Sequence, residues 1–232
     1  MKRFPVTCYD GFYKDPDKIR KYALSLEYNK CPAGAWPGRR TKYISTLNPK
    51  LFELFVNKVS YLFYDLSNNL EMTIQTCFYI VDSLEDDPNS KKNKGWIHRD
   101  SENEGERNYD FAGIVYLTPD IELDSGTSIY RLKTKNFTDY SDNRCPYYKD
   151  KVDVSFDEHY TKHNSQFEET VRFANIYNRL IMYDATLWHS ANSYHTKQPR
   201  LMQVFFANLK SETMGTPIER SEFIDYEMGN IW

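Results

Sequence analysis

The N-terminal part of the chain carries two helical patterns of apolar residues. Each begins with a polar residue followed by proline, Asp15-Pro16 in the first and Asn48-Pro49 in the second. This pair is typical of a helix start, because the polar side chain caps the first turn and proline fits the first helical position. The second pattern has one apolar face, formed by Leu51, Leu54, Phe55, Val59, Leu62 and Phe63. We therefore expect a helical cover over residues 1–70, interrupted by a connection rich in proline and glycine over 31–40.

From Met72 onward the pattern changes to short runs rich in β-branched and aromatic residues. Most of these runs are not separated by a helical pattern, which excludes a doubly wound α/β sheet. Short strands with turn residues between them suit a sandwich, a jelly roll or a barrel. The eight predicted strands cover 73–81, 96–99, 112–117, 127–132, 171–175, 179–183, 187–190 and 201–208.

A polar stretch over 133–170 is too long to be a plain connection between strands. The sequence shows neither an internal repeat nor a flexible linker, so we expect one mainly β domain over 1–232. Its core spans 71–210 and contains the insertion 133–170, and a tail follows over 211–232. We expect the insertion to form a lid or a substrate wall.

Composition narrows the function classes without naming one. Hydrophobic residues make up 40% of the chain and aromatic residues 16%, which excludes disorder. A net charge of −3 offers no overall field for duplex nucleic acid or an anionic membrane. Apolar runs are too short to span a bilayer. The four cysteines lack zinc spacing, so we expect reduced thiols and a cytoplasmic protein; a secreted disulfide scaffold is the alternative.

The first chemical signal is the segment His98-Arg99-Asp100. Alternate residues of a strand point to the same face, so His98 and Asp100 converge while Arg99 points away. One imidazole and one carboxylate on a common face make up two thirds of a facial metal triad, which needs a second histidine from elsewhere. A surface histidine beside a solvated acid is the simpler interpretation of this segment alone.

The second histidine has four candidates, and the context of one of them is distinctive. His189 ends a largely apolar segment, where a polar residue is either a hydrogen-bonded core group or a ligand. Arg200 opens the next apolar strand, where a cation needs an anionic partner and its planar fork suits a carboxylate. An exposed arginine at a strand start is the alternative. The four candidates are His159, His163, His189 and His195.

The set His98-x-Asp100, His189 and Arg200 resembles the signature of the Fe(II)/2-oxoglutarate-dependent dioxygenases. The prolyl-hydroxylase-like branch is the most similar, through the runs 113–118, 124–131 and 179–209. The Gly-Thr-x-x-Tyr-Arg run within 124–131 also resembles uncharacterised bacterial and phage members. This resemblance implies a double-stranded β-helix, which is a jelly roll of eight strands, and it covers roughly residues 72 to 210.

The resemblance also implies roles for individual residues. His98, Asp100 and His189 are expected to bind Fe(II), with 2-oxoglutarate as cosubstrate and O₂ as oxidant. Arg200 is expected to bind the C5 carboxylate of 2-oxoglutarate, and Tyr116 to donate its hydroxyl to the same group; a core strand aromatic is the alternative for Tyr116. Halogenating relatives lack the carboxylate that Asp100 supplies, so hydroxylation with release of succinate and CO₂ is favoured.

The sequence constrains the residues that contact the substrate less than it constrains the proposed metal ligands. Trp188 and Arg131 are candidates, with a packed aromatic ring and a solvated charge as the alternatives. The basic runs 39–42 and 91–94 are interpreted as solvated loops, although the second precedes His98 and would suit an anionic substrate. We expect a peptide or amino-acid substrate, because the branch resembled acts on prolyl groups and the insertion is rich in acids that repel phosphates.

Two rival functions stay open at this point. A cupin-like metal isomerase, or a dioxygenase without cosubstrate, needs no Arg200. A non-enzymatic β-sandwich binding module leaves His98, Asp100 and His189 unclustered.

Overall fold

The computed structural model describes residues 6–31, 36–63, 72–101, 109–139 and 156–210. Both predicted helix starts are confirmed: the Asp15 carboxylate accepts from Lys18 N at 3.0 Å, and Asn48 Oδ1 accepts from Leu51 N at 3.1 Å. The cap residues thus satisfy backbone donors that the first turn leaves free. The described helices are α1 (Pro16–Leu24), α2 (Ile44–Leu47), α3 (Pro49–Phe63) and α4 (Phe156–Asn164).

The described strands form two antiparallel sheets. Their bounds are β1 (Thr7–Tyr9), β2 (Asn29–Lys30), β3 (Arg39–Arg40), β4 (Met72–Val81), β5 (Phe111–Tyr116), β6 (Thr127–Leu132), β7 (Phe167–Phe173), β8 (Leu180–Asp184), β9 (Trp188–Ala191) and β10 (Arg200–Leu209). The large sheet has the order β1-β8-β5-β10-β4-β3-β2, and the small sheet has the order β7-β6-β9. The non-sequential neighbours are those of a jelly roll, so the predicted fold class is confirmed.

Two strand predictions differ from the structure. The run 96–99 is not a strand: among the described residues it forms a single antiparallel bridge, between His98 and His189. The strand predicted over 171–175 begins earlier, at Phe167, because its polar first half pairs with β6 at the sheet edge. Charged residues with exposed side chains hid this half of β7 from a pattern based on apolar residues.

Alternation along β10 shows how the two apolar layers are built. Phe205 and Ala207 face one layer, which holds Phe12, Ile44 and Phe55 from the N-terminal elements. Met202, Val204 and Phe206 face the other layer, which holds Tyr116 and Tyr183 of the large sheet and Ile129 and Phe173 of the small sheet. The N-terminal helices therefore cover the outer face of the large sheet, and its inner face packs against the small sheet.

Several predicted segments are only partly described. Residues 140–155 of the insertion, with Cys145, lie outside the described residues, and so does the tail over 211–232. The last four residues of the predicted insertion belong to β7. Cys8, Cys31 and Cys77 are free thiols. None of the described helices combines the length and the apolar character that crossing a bilayer requires.

Candidate metal centre

Three side chains that the sequence pattern singled out converge at the mouth of the jelly roll. One ligand atom each from His98, Asp100 and His189 lie within 4.8 Å of one another. Nε2 of His98 is 3.8 Å from one Asp100 oxygen, and Nε2 of His189 is 3.3 Å from the other. Two imidazoles and one carboxylate around a common point form the facial donor set typical of non-haem Fe(II).

The other ring nitrogen of each histidine fixes its orientation. Nδ1 of His98 lies 2.8 Å from the Trp96 carbonyl oxygen, and Nδ1 of His189 lies 2.9 Å from the Leu187 carbonyl oxygen. A carbonyl only accepts, so each Nδ1 carries a proton, and in this neutral tautomer each Nε2 offers its lone pair on the side of Asp100. The donor set therefore fits a divalent metal without any change of tautomer.

Backbone pairing holds the three candidate ligands in register. His189 lies in β9, and His98 pairs with it through both backbone hydrogen bonds. The amides of Asp100 and Ser101 both donate to the Ala185 carbonyl oxygen at 3.0 Å. The segment that carries His98 and Asp100 is thus tied to both ends of the β8–β9 turn.

The triad opens into a cavity of about 110 Å³ whose walls come from both sheets. Arg200 lines this cavity and is 2% exposed. Its Nε donates to the Ser125 carbonyl oxygen at 2.7 Å, and Nη2 donates to that of Gly126 at 3.3 Å. Among the described residues no carboxylate pairs with Arg200. A buried cation without a counterion is costly, so the cavity is suited to an anionic ligand.

Gly126 makes this arrangement of Arg200 sterically feasible. A Cβ at Gly126 would lie 1.8 Å from the Phe173 carbonyl oxygen, so only glycine allows β6 and β7 to approach so closely. The Gly126 carbonyl that this approach positions is one of the acceptors for Arg200.

Tyr116 lies behind the cavity wall. It is fully buried, and its hydroxyl donates to Thr127 Oγ1 at 2.9 Å. Thr127 lines the cavity and is also 3.5 Å from Arg200 Nη2. Burial raises the pKa of Tyr116, so its hydroxyl keeps its proton at neutral pH. Through Thr127, Tyr116 adjoins the Arg200 end of the cavity.

The two expected substrate contacts do not line this cavity. Arg131 is exposed and forms an ion pair with Glu168 of β7 at 2.8 Å. Trp188 precedes His189 in β9, so strand alternation points it to the opposite face. There it packs against Phe167, with ring centroids 4.8 Å apart, and below the Arg99 guanidinium.

His163 and His195 make their contacts away from the candidate ligand set. Nε2 of His163 lies 2.7 Å from the Ile97 carbonyl oxygen, and the ring is stacked on Trp96. Nδ1 of His195 lies 3.4 Å from the Glu85 carbonyl oxygen. Among the described histidines other than His98, only His189 joins Asp100 in the ligand set.

Sequence reasoning missed one cavity residue, Arg40, which was interpreted as part of a solvated basic run. Arg40 lines the same cavity as the triad and Arg200. Its guanidinium lies over the Trp36 ring at 4.1 Å and the Tyr79 ring at 4.8 Å. The available signal was Pro37-Gly38 before the two arginines, which marks a tight turn into β3.

The comparisons with known proteins agree with this fold. A family model described as a family of unknown function (DUF6445) matches residues 1–200. Curated proteins give no match. Solved structures that are similar in fold are iron- and 2-oxoglutarate-dependent oxygenases, so the resemblance drawn from the sequence is confirmed at the level of fold.

Three of these structures illustrate the range of the fold. HygX from Streptomyces hygroscopicus, solved with nickel and 2-oxoglutarate, has a TM-score of 0.56 and 10% identity, and the match covers 92% of this chain and 85% of HygX. The epimerase SnoN of nogalamycin biosynthesis has a TM-score of 0.55 and 12% identity, with 89% and 78% covered. A prolyl hydroxylase from Trichoplax adhaerens, in complex with a hypoxia inducible factor peptide, has a TM-score of 0.50 and 10% identity, with 87% and 82% covered.

Proposed function

This chain belongs to the DUF6445 family, and we propose that it is an Fe(II)- and 2-oxoglutarate-dependent oxygenase that hydroxylates a peptide or amino-acid substrate. The convergence of His98, Asp100 and His189, with both Nε2 atoms directed at the carboxylate, carries the proposal. Bound Fe(II) would supply the oxygen chemistry, in which O₂ is consumed, 2-oxoglutarate becomes succinate and CO₂, and a substrate C–H bond becomes C–OH.

The protein's own residues would hold the metal, orient its ligands and shield the reacting groups from water. Asp100 contributes one negative charge to the metal, and the Trp96 and Leu187 carbonyl oxygens keep the two imidazoles in the required tautomer. Apolar side chains from the inner face of the large sheet, among them Ala112, Met202 and Val204, line the cavity. They limit the access of water to the reacting groups.

Arg200 is proposed to bind the C5 carboxylate of 2-oxoglutarate. The guanidinium is held by the Ser125 and Gly126 carbonyl oxygens, so it meets a ligand without reorganising. Tyr116 is proposed to act through Thr127, whose hydroxyl oxygen accepts from both Tyr116 and Arg200. A metal enzyme without this cosubstrate gives no reason for a buried arginine in this cavity that pairs with no carboxylate of the described residues.

The substrate class rests on the resemblance to the prolyl-hydroxylase-like branch. Proteins of similar fold differ widely in substrate: HygX is described with hygromycin B bound, and the Trichoplax enzyme with a peptide. A screen of succinate release over free amino acids, peptides and nucleotides tests the class directly. Turnover with nucleotides alone would replace the proposed substrate.

Metal and cosubstrate binding are tested without knowing the substrate. Anaerobic addition of Fe(II) and 2-oxoglutarate to the wild-type protein is expected to give a visible charge-transfer band. His189→Ala is expected to abolish the band, because one of three ligands is lost. His195→Ala is the matched control and is expected to keep it. A full band in His189→Ala would show that the ligand set is wrong.

A further inference from the structure

Arg40 is rigidly placed although it lies in a strand of two residues. Its side chain stacks on Trp36 and Tyr79, and Tyr79 donates its hydroxyl to the Pro37 carbonyl oxygen at 2.6 Å. Gly38 lets the chain approach β4, since a Cβ there would lie 2.3 Å from the Ile80 carbonyl oxygen. Turn, rings and sheet therefore hold the Arg40 guanidinium at the wall of the metal cavity.

Two hydrogen-bond donors at this wall lack acceptors within the part of the chain that the structure describes. These donors are Nε of Arg40 and Nε1 of Trp36; both atoms are buried, and neither has a hydrogen-bond partner among the described residues. No carboxylate of the described residues forms an ion pair with Arg40, whereas its neighbour Arg39 pairs with Asp82 at 2.8 Å. Buried donors without acceptors are rare and costly, so their clustering in one cavity wall indicates a ligand that brings acceptor oxygens.

Charge balance indicates that the group carrying these acceptor oxygens is an anion. With the proposed cosubstrate bound, the two charges of Fe(II) and that of Arg200 are offset by Asp100 and the two carboxylates of 2-oxoglutarate. The positive charge of Arg40 is then left over in the same cavity. Arg40 is half-buried, and an uncompensated charge that is partly shielded from water is unfavourable, so a further anionic group would stabilise it.

We propose that Arg40 and Trp36 bind a carboxylate of the substrate, so that the substrate is a free amino acid or another small carboxylic acid rather than an internal residue of a peptide. This inference rests on the proposed function and narrows its substrate class. A carboxylate suits the site because the guanidinium fork binds two oxygens in one plane, and the indole N–H supplies a further donor.

The test compares acids with their amides. Protein loaded with Mn(II) and 2-oxoglutarate is titrated calorimetrically with the free amino acids and with the corresponding amino-acid amides. At least one acid is expected to bind, and its amide is expected to bind roughly tenfold to a hundredfold more weakly, the range of a lost charge-assisted hydrogen bond. Arg40→Gln is expected to remove this preference, and Arg40→Lys, which keeps the charge but not the fork, to reduce it.

Arg39→Gln is the matched control, because Arg39 faces Asp82 outside the cavity; it is expected to keep the wild-type preference. Three outcomes would overturn the inference: no acid binds, acid and amide bind equally, or Arg40→Gln weakens 2-oxoglutarate binding instead. Failure of the proposed function gives a different result, because wild-type protein would then bind neither Mn(II) nor 2-oxoglutarate. The acid–amide comparison is then made on metal-free protein, where Arg40 keeps the same contacts.

Discussion

His98 and His189 face each other across a single antiparallel bridge. Each backbone N–H donates to the carbonyl oxygen of the other residue, at 3.0 and 2.9 Å, and the two ring centroids are 4.4 Å apart. A non-local pair of backbone hydrogen bonds thus sets the spacing of two proposed metal ligands. Placing the ligands on paired backbone leaves little for the metal to reorganise when it binds.

Arg200→Ala is expected to weaken 2-oxoglutarate binding roughly tenfold to a hundredfold and to leave metal binding unchanged. The lost interaction is charge-assisted and buried, and Arg200 does not touch the ligand set. Calorimetry of Mn(II) and of 2-oxoglutarate separates the two effects. Arg131→Ala, which removes only the exposed ion pair with Glu168, serves as the control. An unchanged 2-oxoglutarate affinity in Arg200→Ala would move the carboxylate site elsewhere.

The residues of the proposed metal site could be singled out from the sequence because each has a local signature. His98 and Asp100 alternate on one face, and His189 interrupts an apolar strand before a strand that opens with arginine. Arg40 was not predictable in the same way. Its position at the cavity wall depends on Trp36 and on Tyr79, a residue remote in sequence, and a two-residue strand has no periodicity to detect.

Dependence on residues remote in sequence also explains why the first half of β7 was not predicted and why a strand was predicted where His98 forms only a bridge. After the buried Phe167, the next residues of β7, Glu168, Glu169 and Thr170, are polar and exposed on both faces, so pairing with β6 is what makes them a strand. The helix starts, in contrast, depend on neighbours three residues apart, and the caps at Asp15 and Asn48 are found where the sequence places them. Features that depend on residues close in sequence can be predicted from the sequence, whereas features that depend on pairing with a remote strand cannot.

Stability is expected to fall as pH rises above about 10, the ordinary pKa of tyrosine. Burial raises the pKa of Tyr13, so the folded protein keeps a proton that the unfolded chain loses. The stability linked to this proton is complete below pH 10 and declines above it by about 1.4 kcal/mol per pH unit. Urea unfolding of wild type and Tyr13→Phe between pH 9 and 11 measures the slope. Identical slopes would show that Tyr13 ionises freely in the folded state.

Gly38→Ala is expected to destabilise the protein more than Gly11→Ala. Both glycines have positive φ, 69° and 72°, so both alanines pay about 1–2 kcal/mol for the left-handed backbone. Only at Gly38 does the added Cβ also meet backbone, at 2.3 Å from the Ile80 carbonyl oxygen; at Gly11 it meets open space. Urea unfolding of the two variants isolates the steric part. If both variants lose the same free energy of unfolding, β3 can move away from β4 without destabilising the protein.

His163 is expected to position the metal ligands from helix α4. Its Nε2–H donates to the Ile97 carbonyl oxygen at 2.7 Å, one residue before His98, and its ring is stacked on Trp96, whose own carbonyl orients His98. His163→Phe keeps the stacking and loses the hydrogen bond, so metal affinity is expected to fall by about tenfold, the lower end for contacts that orient metal ligands. His163→Gln, which restores a donor, is expected to recover most of this loss. His159→Phe on the same helix is the control, measured alongside by Mn(II) calorimetry and thermal unfolding. If His163→Phe and His163→Gln both bind Mn(II) like wild type, helix α4 has no part in holding His98, and the insertion keeps only its predicted role as a lid or substrate wall.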